Sequence, residues 1–266
     1  MDELVLKSYL DIAVEIAIEA GEVMKKHFNT QVSQREKSDK TIVTIADEEI
    51  NNLVISRLNS KLPSHSVYGE EGSSHNSTSD IWVCDPIDGT VPYSKNIPVS
   101  VFSLAYCKDG VPLIGVVIDP FFNRIYTAIK GQGAYLNSKK IQVSDKTLSY
   151  KAIIDYEWWP EAKFDISEIT SNISKSTKTY MLSLGSVIGA CCLVARGDYE
   201  AVIFPGTTGK NVDIAAMKVI IEESGGRVTD LFGREQRYDQ DIQGALLSNG
   251  KVHTELLSYL SVLDKK

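Results

Sequence analysis

The sequence lacks the features that mark membrane-spanning, exported and nucleic-acid-binding proteins. Its apolar runs are shorter than the roughly 18 residues that a membrane span needs, and charged residues interrupt them. It has no basic block, and 28 basic against 35 acidic side chains give a net charge of -7. Such a chain is unlike a general nucleic-acid binder. Since the first residues carry no basic stretch of the signal-peptide type, we expect a cytoplasmic protein without membrane or nucleic-acid partners.

Cysteine and histidine are also scarce, with four of each. The cysteines have no CxxC spacing, which favours reduced and mostly buried thiols. The histidines are scattered without the spacing of a zinc site. We therefore expect neither a disulfide framework nor a zinc centre.

Helical and β patterns alternate along the chain. Apolar residues at three- and four-residue steps from Leu6 to Met24 predict a long first helix. The segment Thr44-Ile45-Ala46-Asp47 has the form of a capping box and predicts a second helix over about residues 44–62. Strand patterns dominate residues 66–129, and Asp109-Gly110 is typical of a hairpin turn.

The second half of the chain alternates again. It predicts strands at 152–155, 179–184, 201–204 and 245–248, and helices at 186–195, 212–224 and from about 251. The pattern indicates a mixed α/β (α+β) fold with helices and sheets layered around a shared core. We place an N-terminal α+β lobe at residues 1–145 and a C-terminal α/β lobe at residues 146–266, joined in one compact unit.

The segment WVCDPIDGT at residues 82–90 carries the clearest chemical pattern. We expect a strand that ends at Asp85, a fixed backbone angle at the proline, and close backbone approach at Gly89. Such a turn can aim the carboxylates of Asp85 and Asp88, and the carbonyl between them, at one point. If Thr90 opens a helix, the N–H groups of Gly89 and Thr90 form an anion site. Hard oxygen ligands beside such a site suit Mg²⁺.

Two further acidic positions stand in comparable places. Glu70 and Glu71 lie between two glycines after a short strand pattern, and Asp213 follows the glycine-rich loop at residues 205–209. Taken alone, a Glu-Glu pair is typical of a solvated turn, and an Asp at a helix start complements the helix dipole. The residues by themselves leave both interpretations open.

Three motifs in this order resemble one known family. GEEG, DPIDGT and NVDIAAMKVIIEESGGRVTD occur at residues 69–72, 85–90 and 211–230. They resemble motifs of the inositol monophosphatase family of Mg²⁺-dependent, lithium-sensitive phosphatases, and the resemblance extends over nearly the whole chain. It implies a five-layer α-β-α-β-α sandwich of the sugar phosphatase type, hydrolysis of a small phosphorylated metabolite, and a homodimer.

The resemblance implies two or three Mg²⁺ ions per active site, with Mn²⁺ as a substitute. The first metal would bind Glu70, Asp85 and the carbonyl of Ile87, and the second would bind Asp85, Asp88 and Asp213. Carboxylates that converge without a cation raise one another's pKa values. Mg²⁺ relieves that repulsion and activates water, so the implied reaction is attack of water on a phosphate monoester without a covalent phospho-enzyme.

The resemblance also implies catalytic and substrate-binding residues. Thr90, paired with Asp47, would activate the attacking water, and Glu70 belongs to the same catalytic group. For Asp47, helix capping is the alternative role, and both roles can hold at once. The implied substrate-binding residues are Asp88, Gly89, Thr90, Gly185, Ser186 and Gly206.

Two departures from the family bear on the substrate. Inositol-specific members carry a glutamate seven residues before the last metal-binding aspartate, where this chain has Gly206. Their GTAA segment is replaced by the residues at 185–188, which read GSVI. The alternative substrates are fructose 1,6-bisphosphate, histidinol phosphate and 3′,5′-bisphosphate nucleotides. Only thirteen residues separate Glu71 from Asp85, which is shorter than in the nucleotide phosphatases.

Three features allow more than one interpretation: the glycine loop, the presence of catalytic activity, and a pair of tryptophans. A glycine loop at residues 206–209, with Lys210 and Arg196 near it, would admit a sugar bisphosphate. A catalytically silent module that senses metal or phosphate could share the fold, although the intact acidic residues favour an enzyme. Trp158 and Trp159 fit a substrate pocket, a subunit interface or a loop packed on the core.

Overall fold

A computed structural model of the chain describes residues 2–30, 34–36, 42–159, 162–206 and 210–265. From the N terminus the elements are α1 (Glu3–His27), β1 (Gln34–Glu36), β2 (Ile42–Thr44), α2 (Ile45–Lys61), β3 (Ser66–Gly69), β4 (Gly72–Ser74), β5 (Asp80–Asp88), α3 (Thr90–Ser94), β6 (Val101–Lys108), β7 (Val111–Asp119), β8 (Arg124–Ile129), β9 (Ala134–Leu136) and β10 (Lys139–Lys140). They continue with β11 (Ile153–Tyr156), α4 (Ser167–Thr177), β12 (Tyr180–Leu182), α5 (Val187–Ala195), β13 (Ala201–Phe204), a 3₁₀ helix (Lys210–Asp213), α6 (Ala215–Glu223), β14 (Arg227–Thr229), β15 (Ala245–Ser248), α7 (His253–Leu260) and a second 3₁₀ helix (Ser261–Lys265).

Most of the strands belong to two mixed sheets. The large sheet has the order β10-β9-β8-β7-β6-β5-β3-β4, and only β3 and β5 run parallel in it. The small sheet has the order β12-β11-β13-β15-β14, with β11 parallel to both of its neighbours. The large sheet uses residues 66–140 and the small sheet residues 153–248. The division into lobes at residue 145 stays a prediction.

Helices and sheets stack in five layers, which confirms the expected α-β-α-β-α sandwich. Helices α1 and α2 cover one face of the large sheet, and α5 and α6 lie between the two sheets. Helices α4 and α7 cover the other face of the small sheet. The middle core contains residues of both sheets, such as Ala105 and Val202, so the two halves of the chain are packed on each other.

The two predicted N-terminal helices are confirmed. The apolar stripe of α1 is buried against the large sheet, including Ala17 and Met24. Helix α2 begins at Ile45, directly after Thr44, the first residue of the predicted capping box, in which Thr44 and Asp47 hydrogen-bond each other through side chain and backbone. In the described part of the chain, no helix is both long enough and apolar enough to cross a membrane.

Three predicted boundaries are wrong. Strand β5 continues to Asp88 instead of ending at Asp85. The predicted strand at 179–184 ends at Leu182, because the next backbone N–H groups bond to side chains instead of to a strand. The helix predicted from residue 212 begins at Ala215, since the turn before it is a 3₁₀ helix in which Ile214 N–H bonds the Asn211 carbonyl at 3.2 Å.

The structure also places the two tryptophans and the cysteines. Trp159 joins the middle core, with its ring centroid 5.6 Å from that of Phe204. Trp158 is 47% exposed. The four cysteines are free and buried, as expected.

Candidate active site

The parallel pair β3 and β5 brings the first two acidic motifs together. Gly69 lies opposite Cys84, and the Glu70 N–H donates to the Cys84 carbonyl at 3.2 Å. Glu70 therefore lies beside Asp85, which is buried with 1% of its surface exposed. Asn51 of α2 donates to the carbonyl of the second glycine of GEEG at 3.2 Å and fixes the turn between the strands.

A bulge in β5 explains why this strand does not end at Asp85. In the pairing with β6, Asp85 faces Ser103 and Asp88 faces Val101, so two residues of β5 lie opposite one of β6. One of the two bulged residues is a proline, which has no N–H to lose there. The other is Ile87, whose carbonyl accepts a hydrogen bond from Thr90 Oγ1 at 3.1 Å.

Gly89 makes the turn from β5 into α3. Its φ of 81° lies in the left-handed region, and a Cβ there would be 2.9 Å from the Gly185 carbonyl oxygen. Only glycine fits both conditions without strain. The Gly89 carbonyl accepts from Ser100 Oγ at 2.8 Å, which fixes the turn against the next strand. The predicted substrate residues Gly89 and Gly185 are thus in contact.

Asp88 is held at the start of α5. Its Oδ2 accepts hydrogen bonds from Ser186 Oγ, from the Ile188 N–H at 2.8 Å and from the Gly189 N–H at 3.4 Å. Ser186 also caps α5, because its Oγ accepts from the Gly189 N–H. In the structure, Ser186 therefore orients a predicted metal ligand.

Asp213 approaches Asp88 from the far part of the chain. The 3₁₀ helix that carries it lies against β5 and β6, and the Val212 carbonyl is 3.5 Å from Ser103 Oγ. Burial, with repulsion from Asp213, raises the pKa of Asp88 well above its usual range. The packing of this 3₁₀ helix on β5 thus brings two of the predicted ligands of the second metal into the same part of the structure.

Asp47 lies near Glu70 and Glu71. Its Oδ2 accepts from the Thr44 N–H at 2.8 Å and from Thr44 Oγ1 at 2.5 Å, while its buried Oδ1 has no hydrogen-bond partner among the described residues. Burial raises the pKa of Asp47 to about 7, and the two glutamates add to the shift. In the described chain no hydrogen bond joins Asp47 to Thr90, so their pairing stays a prediction.

Two buried carboxyl groups that sequence reasoning missed adjoin the site. Asp155 and Glu157 lie on the same face of the chain at the end of β11, with 0% and 8% of their surface exposed. Both interact electrostatically with Asp88. The sequence did contain a signal for this pair, since two acidic residues lie two positions apart at the end of an apolar strand. A solvated turn has the same sequence pattern, so the signal does not identify a site.

Gly206, the remaining predicted substrate residue, lies just after β13, and its role stays a prediction. Gly206 is packed on the backbone of another glycine, Gly244, and its carbonyl accepts from the Lys163 N–H at 2.8 Å. Residues 207–209 of the expected glycine loop and the side chain of Lys210 are not among the described residues. Arg196 follows the last residue of α5, so it lies a whole helix away from Ser186, and its expected place near the glycine loop stays a prediction.

The donor atoms fit a divalent cation. Within the described ranges, no group of three or more His, Cys, Asp and Glu side chains is already arranged to hold a metal ion. Asp85, Asp88 and Asp213 are nevertheless each at most 7% exposed, and carboxylate oxygens are the donors that Mg²⁺ prefers. A cation between Asp88 and Asp213 would relieve their repulsion, so these residues fit Mg²⁺.

Residues 5–263 match the inositol monophosphatase family. Inositol monophosphatase 1 of Solanum lycopersicum is 31% identical over 239 residues, which cover 86% of this chain and 87% of that protein. Fructose-1,6-bisphosphatase/inositol-1-monophosphatase of Aquifex aeolicus is 32% identical over 230 residues, covering 84% and 86%. A solved inositol monophosphatase from Anabaena is 25% identical, with a TM-score of 0.82 over 97% of this chain and 96% of that one. An IMPase from Thermotoga maritima, also 25% identical, has a TM-score of 0.86 over 97% and 98%.

The five-layer fold, with buried carboxylates beside a glycine turn, defines a phosphatase of the sugar phosphatase type. The chain belongs to the inositol monophosphatase family. The family, fold and enzyme class predicted from the sequence are thereby confirmed.

Proposed function

We propose that the chain is a Mg²⁺-dependent phosphomonoesterase, with Mn²⁺ as a substitute metal, that hydrolyses a small phosphorylated metabolite. The observation that carries the proposal is the meeting of Asp88 and Asp213. They come from distant parts of the chain and are both buried, and repulsion from Asp213 adds to the burial that raises the pKa of Asp88. A protein built only for stability gains nothing from such a pair, whereas a cation site requires it.

One set of carboxylate and carbonyl groups would bind two cations. Glu70, Asp85 and the Ile87 carbonyl would hold one cation, and Asp85, Asp88 and Asp213 would hold a second. When bound, the cations supply charge neutralisation at the phosphate and lower the pKa of water.

The attacking water and the phosphate would contact a different set of atoms. Asp47 Oδ1 is buried without a partner among the described residues, so it is free to accept a hydrogen bond from the attacking water. Thr90 Oγ1, which donates to the Ile87 carbonyl, would help position that water. The N–H groups of Gly89 and Thr90 would bind the phosphate, with Gly185 and Ser186 at its border.

The substrate class is a phosphorylated polyol or sugar. The relatives from Solanum lycopersicum and Aquifex aeolicus bear the names of an inositol monophosphatase and of an enzyme that also acts on fructose 1,6-bisphosphate. A phosphate-release panel should compare inositol 1-phosphate, fructose 1,6-bisphosphate, histidinol phosphate and 3′-phosphoadenosine 5′-phosphate by kcat/KM, with and without Mg²⁺. No release from any of them would favour a silent sensing module instead.

Asp88→Asn tests the metal site directly. We expect kcat/KM to fall by about 100-fold or more, because an amide at this position cannot supply the ligand charge. The fold should persist, since the amide oxygen still accepts from Ser186 and the α5 backbone. Asp80→Asn is the matched control, because it makes the same change at the other end of β5, where Asp80 bonds Lys108 and Tyr106. Near-wild-type turnover in Asp88→Asn would remove the two-metal assignment.

Mg²⁺ should also raise the melting temperature, because it binds only the folded cluster. An unchanged melting curve at millimolar Mg²⁺ would contradict the site independently of any substrate. Inhibition by lithium and a homodimer, which the family resemblance implies, and a cytoplasmic location, which the first residues favour, stay predictions for this chain.

A further inference from the structure

Asp155 and Glu157 hold the segment that leads into α5. The Leu184 N–H donates to Asp155 Oδ2 at 3.0 Å, and the Gly185 N–H donates to Glu157 Oε1 at 2.6 Å. Ser183 Oγ donates to the other Glu157 oxygen at 3.3 Å. Two carboxyl groups therefore fix three consecutive residues, which we call the 183–185 segment.

The 183–185 segment is connected directly to a predicted metal ligand. The next residue, Ser186, donates to Asp88 Oδ2 and caps α5, whose first N–H groups bind the same oxygen. The Gly185 carbonyl also lies against Gly89, at 2.9 Å from where a Cβ would be. A shift of this segment would therefore move the donors that orient Asp88.

Asp155 and Glu157 are two buried carboxyl groups side by side, and their mutual repulsion is unfavourable. A pair that served only to hold the 183–185 segment would not need two acids. Burial, together with the neighbouring Glu157, raises the pKa of Asp155 to about 8. Uncharged side chains could hold the segment without that repulsion, so two acids placed beside Asp88 indicate more than a structural link.

We propose that Asp155 and Glu157 are positioning residues for the cation site, acting on Asp88 through the 183–185 segment and Ser186. The inference rests on the proposed function, because Asp88 matters here as a metal ligand. It assigns to the pair an effect on Mg²⁺ affinity and not only on stability.

The test measures Mg²⁺ binding to the purified, substrate-free protein by calorimetry and by the shift of the melting temperature. Glu157→Ala should weaken Mg²⁺ binding by about 10-fold, as loss of groups that orient metal ligands commonly does. Glu157→Gln keeps an acceptor for the Gly185 N–H and should recover most of the affinity. Asp155→Asn keeps an oxygen that can accept from the Leu184 N–H and should bind Mg²⁺ nearly as the wild type does.

Asp230→Ala is the matched control for stability. The Asp230 carboxylate also holds a loop through two backbone N–H groups, those of Phe232 and Arg234, both at 2.8 Å. This variant should lose stability and keep its Mg²⁺ affinity. If Glu157→Ala binds Mg²⁺ as tightly as the wild type, or if Asp230→Ala loses as much affinity, the proposal is wrong.

A double-mutant cycle tests the route. If Glu157 acts through Ser186, the double variant Glu157→Ala/Ser186→Ala should lose little more Mg²⁺ affinity than either single variant. Additive losses would contradict the route.

A second variant keeps the test usable if Glu157→Ala does not fold. Ser183→Ala removes one contact of the same carboxylate and should give a smaller loss of Mg²⁺ affinity. No loss would overturn the proposal. A wild-type protein that neither binds Mg²⁺ nor releases phosphate would instead contradict the proposed function itself.

Discussion

At the scale of a residue, Asp47 has a structural role in capping α2 and a proposed catalytic role in the active site. One carboxylate oxygen closes the capping box with Thr44, and the other is buried without a partner among the described residues. Because the two oxygens face different surroundings, the structural role and the proposed catalytic role can be separated by mutation.

Thr44→Ala and Asp47→Asn should separate these roles. Thr44→Ala removes the helix cap, so the free energy of unfolding should fall by about 1 kcal/mol with little change in kcat/KM. Asp47→Asn keeps an oxygen for the cap but turns the other position into a donor, so kcat/KM should fall by about 100-fold with a smaller loss of stability. Urea denaturation and phosphate release measure the two effects, and equal losses of activity in both variants would contradict the separation.

Residues of the site could be predicted where a local motif encodes them. The positions around Asp85 and Gly89 follow from a strand, a proline and a glycine that are adjacent in the sequence. Asp155 and Glu157 could not be found in this way, because the backbone groups that they bind lie 29 and 28 residues further along. Nothing in the local pattern distinguishes them from solvated acids.

At the scale of elements, a row of small residues decides how close α6 comes to the large sheet. Ala105, Gly115, Ala128 and Ala134 are in register across β6, β7, β8 and β9. Helix α6 packs on these strands, and a Cβ on Gly115 would lie only 2.4 Å from the Ala216 carbonyl oxygen. Helix α6, which follows Asp213, therefore packs directly against the sheet at Gly115, where there is no side chain.

Gly115→Ala should move this helix away from the sheet. The clash is with backbone, which cannot rotate away, so we expect a loss of about 1–3 kcal/mol in the free energy of unfolding, measured by urea denaturation. Gly21→Ala in α1 is the control, because its nearest neighbour is the tip of the Ile118 side chain at 3.0 Å and alanine favours a helix. A larger loss in Gly21→Ala than in Gly115→Ala would contradict the interpretation.

Helices could be predicted more accurately than sheets for a physical reason. The period of α1 and the cap of α2 are local properties, and both predictions are confirmed. The pairing of β3 with β5, past the intervening β4, depends on contacts between distant segments, and no strand pattern specifies it. The bulge that extends β5 to Asp88 is likewise visible only against β6.

At the scale of the whole molecule, acid stability should depend on a histidine buried between β14, β15 and α7. His253 is fully buried, with Thr229 Oγ1 3.0 Å from Nε2 and Ser248 Oγ 2.8 Å from Nδ1. Burial, with repulsion from Arg227 and Lys218, lowers the pKa of His253 from 6.5 to about 4. The unfolded chain therefore takes up this proton at a higher pH than the native protein does.

The resulting stability is retained above pH 6.5 and is lost as the pH falls toward 4. The total loss from this group should be roughly 3 kcal/mol. His253→Asn should be less stable at neutral pH but should lose less stability between neutral pH and about pH 4.5, as urea denaturation would show. His75→Asn, at an exposed position, is the control, and an identical pH dependence in the wild type and His253→Asn would contradict the assignment.

The late position of Asp213 in the chain has a consequence for synthesis in the cell. The carboxylates of β5 leave the ribosome long before the 3₁₀ turn that sits over Ser103, so a growing polypeptide presents them without Asp213, the further ligand proposed for the second cation. On the proposed ligand set, a nascent chain would therefore hold a divalent cation more weakly than the finished protein. Phosphatase activity would then arise only after the C-terminal part of the chain has been made and folded.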